Sequence, residues 1–275
     1  MDQNQTPAVE EKAYKLLSRA EEGQEITTRD DQCDFPAFLD AARVARRSGG
    51  RLRLIDTGRF SAFELEWLAE AGADLYTSDE ARPNRFELGL LSKARARGNA
   101  VIAYFHHGRL SGDSEEAASS PAFLAGVGRD GVDIHISNRE RPRDRAVLTE
   151  VGSACRGGGS RLVYYHHGPL EAGLESVVSV GGWIHLTEEA LEDPGMRNRI
   201  AELARGAAAA GAGVILHIER GQTVDSLKAF FQAGAFLIFR TPPSEPRSRL
   251  RAIEKQAAKR KLDPRSYYLH AHFLP

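Results

Sequence analysis

The sequence predicts an α/β fold, a (βα)8 barrel of the TIM type that follows a helical extension at the N-terminus. From residue 51 onward, eight short apolar runs of strand character alternate with segments of helical period. Glycine repeatedly stands just before a run, where a preceding helix would end. Such alternation is typical of parallel strands joined by helical crossovers, and 275 residues suit one barrel. A doubly wound open sheet is the structural alternative.

The predicted strands and helices follow one another in strict order. The eight runs cover residues 51–57, 74–78, 100–107, 132–137, 161–167, 183–187, 213–219 and 235–241. The first helical segment shows the pattern, because Leu65, Leu68 and Ala69 are spaced as residues on one helix face are. Two more helical stretches, about 9–21 and 35–47, precede the first run. We therefore predict a helical extension over residues 1–50, packed on a barrel formed by residues 51–275.

The composition limits the classes of function. Hydrophobic residues make up 41% of the chain, enough for a buried core, and 37 basic residues nearly balance 38 acidic ones. This balance provides no general attraction to nucleic acid or to an anionic membrane. Cys33 and Cys155 cannot form a disulfide framework, and neither a membrane-spanning stretch nor a secretory signal is evident. We expect a cytoplasmic protein without nucleic-acid or membrane partners; the sequence does not predict its oligomeric state.

Histidines concentrate in the middle of the chain. Seven of the nine lie in the five runs between residues 100 and 219, near the strand ends where barrels carry active sites. Helix-facing positions should be aliphatic, so alternation along each strand predicts which side chains point into the barrel. The predicted inward set is His106, His135, His166, His185 and His217, with the acids Asp56 and Glu219. Two runs end in His-His-Gly, which leaves His107 and His167 as alternatives to His106 and His166.

Buried imidazoles that lie together need partners, because each loses its hydration. A divalent metal ion is one such partner, since zinc, manganese and iron all bind imidazole nitrogen. The predicted metal ligands are His106, His166, His185 and His217, and the predicted catalytic groups are Asp56, His135 and Glu219. A metal-bound water would then attack an ester, a phosphoester or an amide.

Arginines follow several of the predicted strands. Arg220 and Arg240 come at the ends of the last two runs, where barrels often bind phosphate, and a guanidinium group suits phosphate or carboxylate. We predict that both residues bind a small anionic substrate. No lysine falls within a run, which argues against Schiff-base chemistry. The pair His270 and His272 near the C-terminus could bind metal or simply pack.

The stretch LIDTGRFSAFELEWLAEAGADLYTSDE resembles the opening of the PHP (polymerase and histidinol phosphatase) superfamily. There an HxHT strand, a Phe-Ser turn, a helix and a second strand ending in TDH succeed one another at similar spacing. The resemblance covers about thirty residues and implies a barrel with metal-dependent chemistry. Leu54 and Asp56 stand where the family has its two histidines, and Ser78 and Asp79 replace the TDH acid and histidine. The resemblance therefore implies a diverged member that has lost or rebuilt its metal site.

Three functions are compatible with these patterns. The first is a metal-dependent hydrolase, of phosphoesterase or amidohydrolase type, acting on a small anionic substrate at the C-terminal mouth of the barrel. The second is a metal-free lyase or isomerase in which histidines and Glu219 transfer protons. The third is a barrel that binds a ligand without catalysis. The fold alone does not choose among them.

Overall fold

A computed structural model describes residues 6–110, 120–218, 223–239, 253 and 255–260. It confirms the α/β class, because the described residues form strands that alternate with helices and pair in parallel. The chain divides into two compact units, Met1–Asp133 (unit 1) and Ile134–Pro275 (unit 2). The predicted boundary at residue 50 does not coincide with this division.

Unit 1 is a run of strands and helices in strict alternation. Its elements are α1 (Thr6–Glu21), β1 (Glu25–Arg29), α2 (Phe35–Arg47), β2 (Arg51–Ile55), α3 (Ala62–Ala71), β3 (Asp74–Ser78), α4 (Arg85–Gly98), β4 (Ile102–His106) and α5 (Pro121–Arg129). The strands β1 to β4 pair in chain order, all in parallel. This is the arrangement expected when each helix connects two neighbouring parallel strands.

Unit 2 continues the same alternation. Its strands are β5 (Asp133–Ser137, which begins with the last residue of unit 1), β6 (Leu162–His166), β7 (Trp183–Leu186), β8 (Val214–Ile218) and β9 (Phe236–Phe239). Its helices are α6 (Arg145–Gly157), α7 (Leu174–Ser179), α8 (Arg197–Ala209) and α9 (Val224–Gln232), with short 3-10 helices at Glu188–Leu191 and Pro194–Met196. The strands β5 to β9 again pair in parallel and in chain order.

All eight predicted runs correspond to strands, β2 to β9, but the sequence analysis missed β1. This strand lies inside the predicted helical extension and pairs with β2 over five residues. Its sequence, EITTR, contains a single apolar residue, Ile26, which is fully buried. A strand with one apolar residue carries no periodic signal, so pairing with β2 is what defines it.

Local chemistry explains where most helices begin and end. Polar side chains accept a hydrogen bond from the first turn of the helix at Asp34, Ser61, Asn84, Ser120, Asp144 and Thr223. Gly72 ends α3 with φ 102°, a left-handed conformation that glycine adopts without strain. Gly98 is the last residue of α4, near the position where the sequence predicts that this helix ends. The absence of a side chain matters here for packing, because a side chain would collide with the backbone of Ala69.

Contacts between strands and helices show which sheet face is covered. In unit 1 the ring of Tyr104 on β4 packs against Phe123 of α5, with ring centres 6.0 Å apart. In unit 2 a Cβ placed on Gly152 of α6 would meet Leu162 of β6 at 3.3 Å. Tyr104 and Leu162 therefore mark the helix-facing side of the sheet in their own units. No helix within the described part of the chain is long and apolar enough to cross a membrane.

Candidate functional site

Three histidines and a tyrosine on neighbouring strands of unit 2 form a buried cluster on the face turned away from the helices. They are His135 of β5, Tyr165 of β6, His185 of β7 and His217 of β8. Strand register explains the grouping: Tyr165 pairs with His185, and His185 pairs with Ile215, two residues before His217. Each of the four is at most 3% exposed. We call them the imidazole row.

Hydrogen bonds and ring contacts connect the imidazole row from end to end. His135 Nδ1 lies 2.9 Å from the Tyr165 hydroxyl oxygen. The Tyr165 and His185 rings are 4.4 Å apart between centres. His185 Nδ1 lies 2.8 Å from His217 Nε2, with the two rings stacked at an angle of 19°. The row thus forms a continuous polar strip across four strands.

Burial keeps His135 uncharged at neutral pH. Desolvation, with a smaller contribution from His185, lowers the pKa of His135 to about 3, so this imidazole is neutral near pH 7. The hydrogen bond between His185 and His217 requires an N–H on one ring and a lone pair on the other. A pair of this kind can accept one proton and pass it along the bond. Proton transfer is therefore the chemistry that this geometry supports most directly.

The donor set for a metal ion is incomplete among the described residues. His185 Nδ1 and His217 Nε2 converge, as two ligands of one ion would. A catalytic zinc ion, however, takes three protein ligands. No group of three His, Cys, Asp or Glu side chains in the described ranges is arranged to hold a metal ion. The described residues therefore do not fit the predicted four-histidine metal site.

His166, predicted as an inward metal ligand, lies on the helix-facing side of β6, in line with Leu162 and Tyr164. Its Nε2 donates to the carbonyl oxygen of Pro169 at 2.9 Å, and the Asn138 side-chain nitrogen lies 3.3 Å from its Nδ1. The predicted orientation of His166 is therefore wrong. The residue is a hydrogen-bonded core histidine, and the row takes Tyr165 from the same strand instead.

His106 in unit 1 departs from its predicted orientation in the same way. It alternates with Tyr104, which faces α5, so it too lies on the helix side. The ring is fully buried, and its Nδ1 lies 3.1 Å from the Asp79 carboxylate. The alternative, His107, directs its Nδ1 to the other oxygen of Asp79 at 2.9 Å. Asp79 also accepts hydrogen bonds from the backbone N–H groups of His107 and Gly108.

These contacts determine the charge state of Asp79. Burial by itself raises the pKa of this carboxyl, but the interactions with His106 and His107 and the Gly108 N–H outweigh it, so the pKa lies well below its usual range. Asp79, whose side chain is 11% exposed, is therefore a carboxylate at neutral pH.

Asp56, predicted as a catalytic acid or base, is instead half of a buried ion pair. Arg82 donates to both of its oxygens, at 2.9 and 3.2 Å, and the Thr77 hydroxyl donates at 2.7 Å. Gly58 N–H adds a fourth hydrogen bond. Asp56 follows Leu52 and Leu54 on one face, and Leu54 pairs with Leu75, two residues before Thr77. Its lone pairs are occupied, so Asp56 is placed to hold the ends of β2 and β3 together.

The alternation of three strands is the opposite of the predicted one. An inward His106 and an inward His166 require Tyr104 and Tyr164, two residues earlier on the same strands, to face inward as well, but both tyrosines lie on the helix-facing side. On β2 the inward positions belong to Arg51 and Arg53, whose charges pair with Asp74 and Glu25. The predictions for His135, His185 and His217 placed them on one face, as the structure does, because isoleucine and leucine flank them.

Tyr165 is the member of the imidazole row that was not predicted from the sequence. The sequence contains the information needed to find it. Tyr165 lies one residue before His166, so when His166 faces the helices, Tyr165 must face the other side of the sheet, together with His135 and His185. The remaining predicted site residues, Glu219, Arg220 and Arg240, lie outside the described residues, as do His270 and His272.

Comparison with known proteins adds little. No protein-family model and no curated protein matches this chain. Among solved structures, the chain is similar to deoxyribose phosphate aldolase from Aeropyrum pernix, with 13% sequence identity and a TM-score of 0.32. The alignment covers 92% of this chain and 98% of the aldolase. A likeness at this level carries no argument about the reaction.

Proposed function

We propose that the imidazole row of unit 2 makes this protein a metal-free lyase or isomerase that moves a proton on a small anionic molecule. The observation that carries the proposal is the 2.8 Å hydrogen bond between His185 and His217, two buried imidazoles on adjacent strands. Two imidazoles joined by one hydrogen bond can accept a proton at one ring and release it from the other. The anionic character of the substrate rests on Arg220 and Arg240, as predicted from the sequence.

The proposed step is a proton shuttle. One imidazole of the pair accepts a proton from a carbon next to the substrate carbonyl, and the electron pair of that C–H bond forms the enolate. The imidazolium formed shares its proton with its neighbour. In an isomerase the proton returns to a different substrate atom, whereas in a lyase it leaves on the departing group. Tyr165 orients the row through its contacts with His135 and His185.

Proton exchange tests the proposal without knowledge of the natural substrate. Exchange of carbon-bound hydrogen for deuterium is followed by proton NMR in D2O, with a panel of small oxo acids, hydroxy acids and sugar phosphates. We expect the wild-type protein to catalyse exchange on at least one compound and His217→Gln to lose about 100-fold or more of that rate. The matched control is His166→Gln, a buried histidine on the other face, which should retain the rate. Equal losses in both variants, or no exchange by the wild type, would contradict the proposal.

A metal-dependent hydrolase is the second candidate. The convergence of His185 Nδ1 and His217 Nε2 favours it, although a third ligand would have to come from beyond the described residues. Metal analysis of purified, tag-free protein separates the two candidates. Stoichiometric zinc, manganese or iron that disappears in a His185→Ala/His217→Ala double variant would support the hydrolase. Full proton exchange by protein treated with chelator would support the lyase or isomerase.

A further inference from the structure

An exposed patch of aromatic side chains lies on α3 and α2 of unit 1. Phe63 and Trp67 are one helical turn apart on α3 and are 61% and 56% exposed. The ring of Trp67 also packs beside Phe35 of α2, with ring centres 5.9 Å apart. We define the aromatic patch as Phe35, Leu39, Phe63 and Trp67. Contiguous exposed apolar surface marks interaction sites, and aromatic residues are enriched in protein–protein interfaces.

A groove runs beside the patch between the two helices. It has a volume of about 520 Å³ and is lined by Leu39, Trp67 and Ala71, with Arg43 on the α2 side and Glu70 on the α3 side. Phe63, one turn before Trp67, projects next to this groove. The surface therefore offers both an exposed aromatic ring and a recess large enough for one, with apolar residues and one charge of each sign in its lining.

The two helices carry opposite charge. The α2 helix contributes Arg43, Arg46 and Arg47 against one acid, Asp40. The α3 helix contributes Glu64, Glu66 and Glu70 and no basic residue. Arg97 of α4 pairs with Glu66 and Glu70, which still leaves the α3 side with an excess of negative charge. The α2 side is correspondingly positive, so the groove has a basic side formed by α2 and an acidic side formed by α3.

We propose that the aromatic patch and its groove bind a second copy of this chain in a two-fold symmetric dimer. In such an interface both copies use the same surface, and the two-fold rotation sets α2 of one copy against α3 of the other. The basic side of the groove in each copy then contacts the acidic side in the other copy, with Arg43 opposite Glu70. Phe63 of each copy enters the groove of its partner. A surface with opposite charges on the two sides of its groove is complementary to itself. This favours a second copy of the chain over an unrelated partner.

Sedimentation equilibrium of the full chain tests this proposal. We expect the wild type to sediment at twice the chain mass across the micromolar range and Trp67→Glu to sediment as a monomer. Arg43→Glu and Glu70→Arg should each weaken the dimer about tenfold or more, because each places like charges opposite one another. The double variant Arg43→Glu/Glu70→Arg should recover most of the wild-type affinity, since the exchanged charges are again complementary.

Phe86→Ser is the matched control, because Phe86 of α4 is 69% exposed but lies outside the patch. It should sediment as the wild type does, and thermal unfolding followed by circular dichroism confirms that every variant is folded. A monomeric wild type at all concentrations would overturn the proposal. So would a double charge variant no tighter than either single variant, or dissociation caused equally by Phe86→Ser.

Discussion

The carboxyl ends of β4 and β6 carry nearly the same five residues, Tyr-Phe-His-His-Gly at 104–108 and Tyr-Tyr-His-His-Gly at 164–168. In both units the preceding strand ends in serine followed by the residue that holds the His-His segment. That residue is Asp79 in unit 1 and Asn138 in unit 2. The two regions thus share a local sequence and a location in the βα series, but differ in the charge of one side chain.

Asn138 shows that an amide is enough to hold the backbone. Its Oδ1 accepts from the His167 N–H at 2.7 Å, and its Nδ2 donates to the His167 carbonyl at 3.0 Å. Asp79 holds the corresponding backbone of unit 1 but also brings its charge within 3.1 Å of two imidazoles. Burying a charge is costly unless it is paired. At this one position unit 1 therefore uses a carboxylate that pairs with two imidazoles, whereas unit 2 uses an uncharged amide.

The largest effect that this comparison predicts belongs to the buried ion pair of unit 1. Asp56→Ala removes the carboxylate that pairs with Arg82, whose side chain is only 8% exposed. We expect the free energy of unfolding to fall by about 3–5 kcal/mol, because the buried guanidinium loses its two hydrogen bonds to Asp56 and keeps only the longer ion pair with Glu87, at 3.5 Å. Urea denaturation measures the change. The control is Asp31→Ala, which breaks the exposed Arg29–Asp31 pair and should cost about 1 kcal/mol or less. Similar losses in both variants would show that the buried Asp56–Arg82 pair contributes no more to stability than an exposed ion pair.

A smaller effect tests the neutral network of unit 2. Tyr165→Phe removes the hydroxyl that bonds His135, and we expect a loss of about 1–3 kcal/mol, because a buried imidazole nitrogen loses its partner. Tyr104→Phe is the matched control in unit 1. Within the described residues the Tyr104 hydroxyl is buried and makes no hydrogen bond, so its removal should leave stability unchanged or slightly higher. Chemical denaturation of both variants measures the difference, and equal losses would show that hydrogen bonding in the row contributes nothing.

The pH dependence of stability tests whether His135 of unit 2 is uncharged in the folded protein. Because the pKa of His135 is lowered to about 3 in the folded state, the unfolded chain alone binds this proton between about pH 6.5 and 3. The stabilising contribution is complete above about pH 6.5 and is lost as the pH falls toward 3, with a slope of at most about 1.4 kcal/mol per pH unit. His135→Gln should show a shallower slope in this window. Denaturation midpoints at several pH values provide the measurement, and an unchanged slope would contradict the neutral state of His135.

The smallest effect concerns the residue that distinguishes the two regions. Asp79→Asn should cost only about 1 kcal/mol at pH 7, because an amide can hold the backbone as Asn138 does. The pKa of Asp79 is lowered in the folded state, so its contribution is present above about pH 4 and is lost as the pH falls below that value. The difference between wild type and variant should therefore shrink at pH 3. A difference that stays constant between pH 7 and pH 3 would show that the charge of Asp79 contributes nothing.

The order of elements was predictable because its signals are local. Alternating apolar runs and helical periods located β2 to β9, and polar capping residues mark the helix starts at Ser61 and Asn84. The strand β1 was not predictable in the same way, since Ile26 is its only apolar residue and pairing with β2 defines it. Three of the four residues of the imidazole row were also predictable. His135, His185 and His217 each lie between aliphatic residues, so their alternation has one reasonable interpretation.

By itself the sequence determined the α/β class and the concentration of histidines in five successive strands. Only the tertiary structure decided which of those histidines meet. A strand side chain has two possible faces, and a change of one residue in the alternation exchanges them. For β4 and β6, where tyrosines and histidines adjoin, the choice depends on what packs against the sheet: Phe123 meets Tyr104, and Gly152 leaves room for Leu162. Each of these contacts joins a strand to a helix that packs on the sheet, so the pattern within the strand alone does not record it.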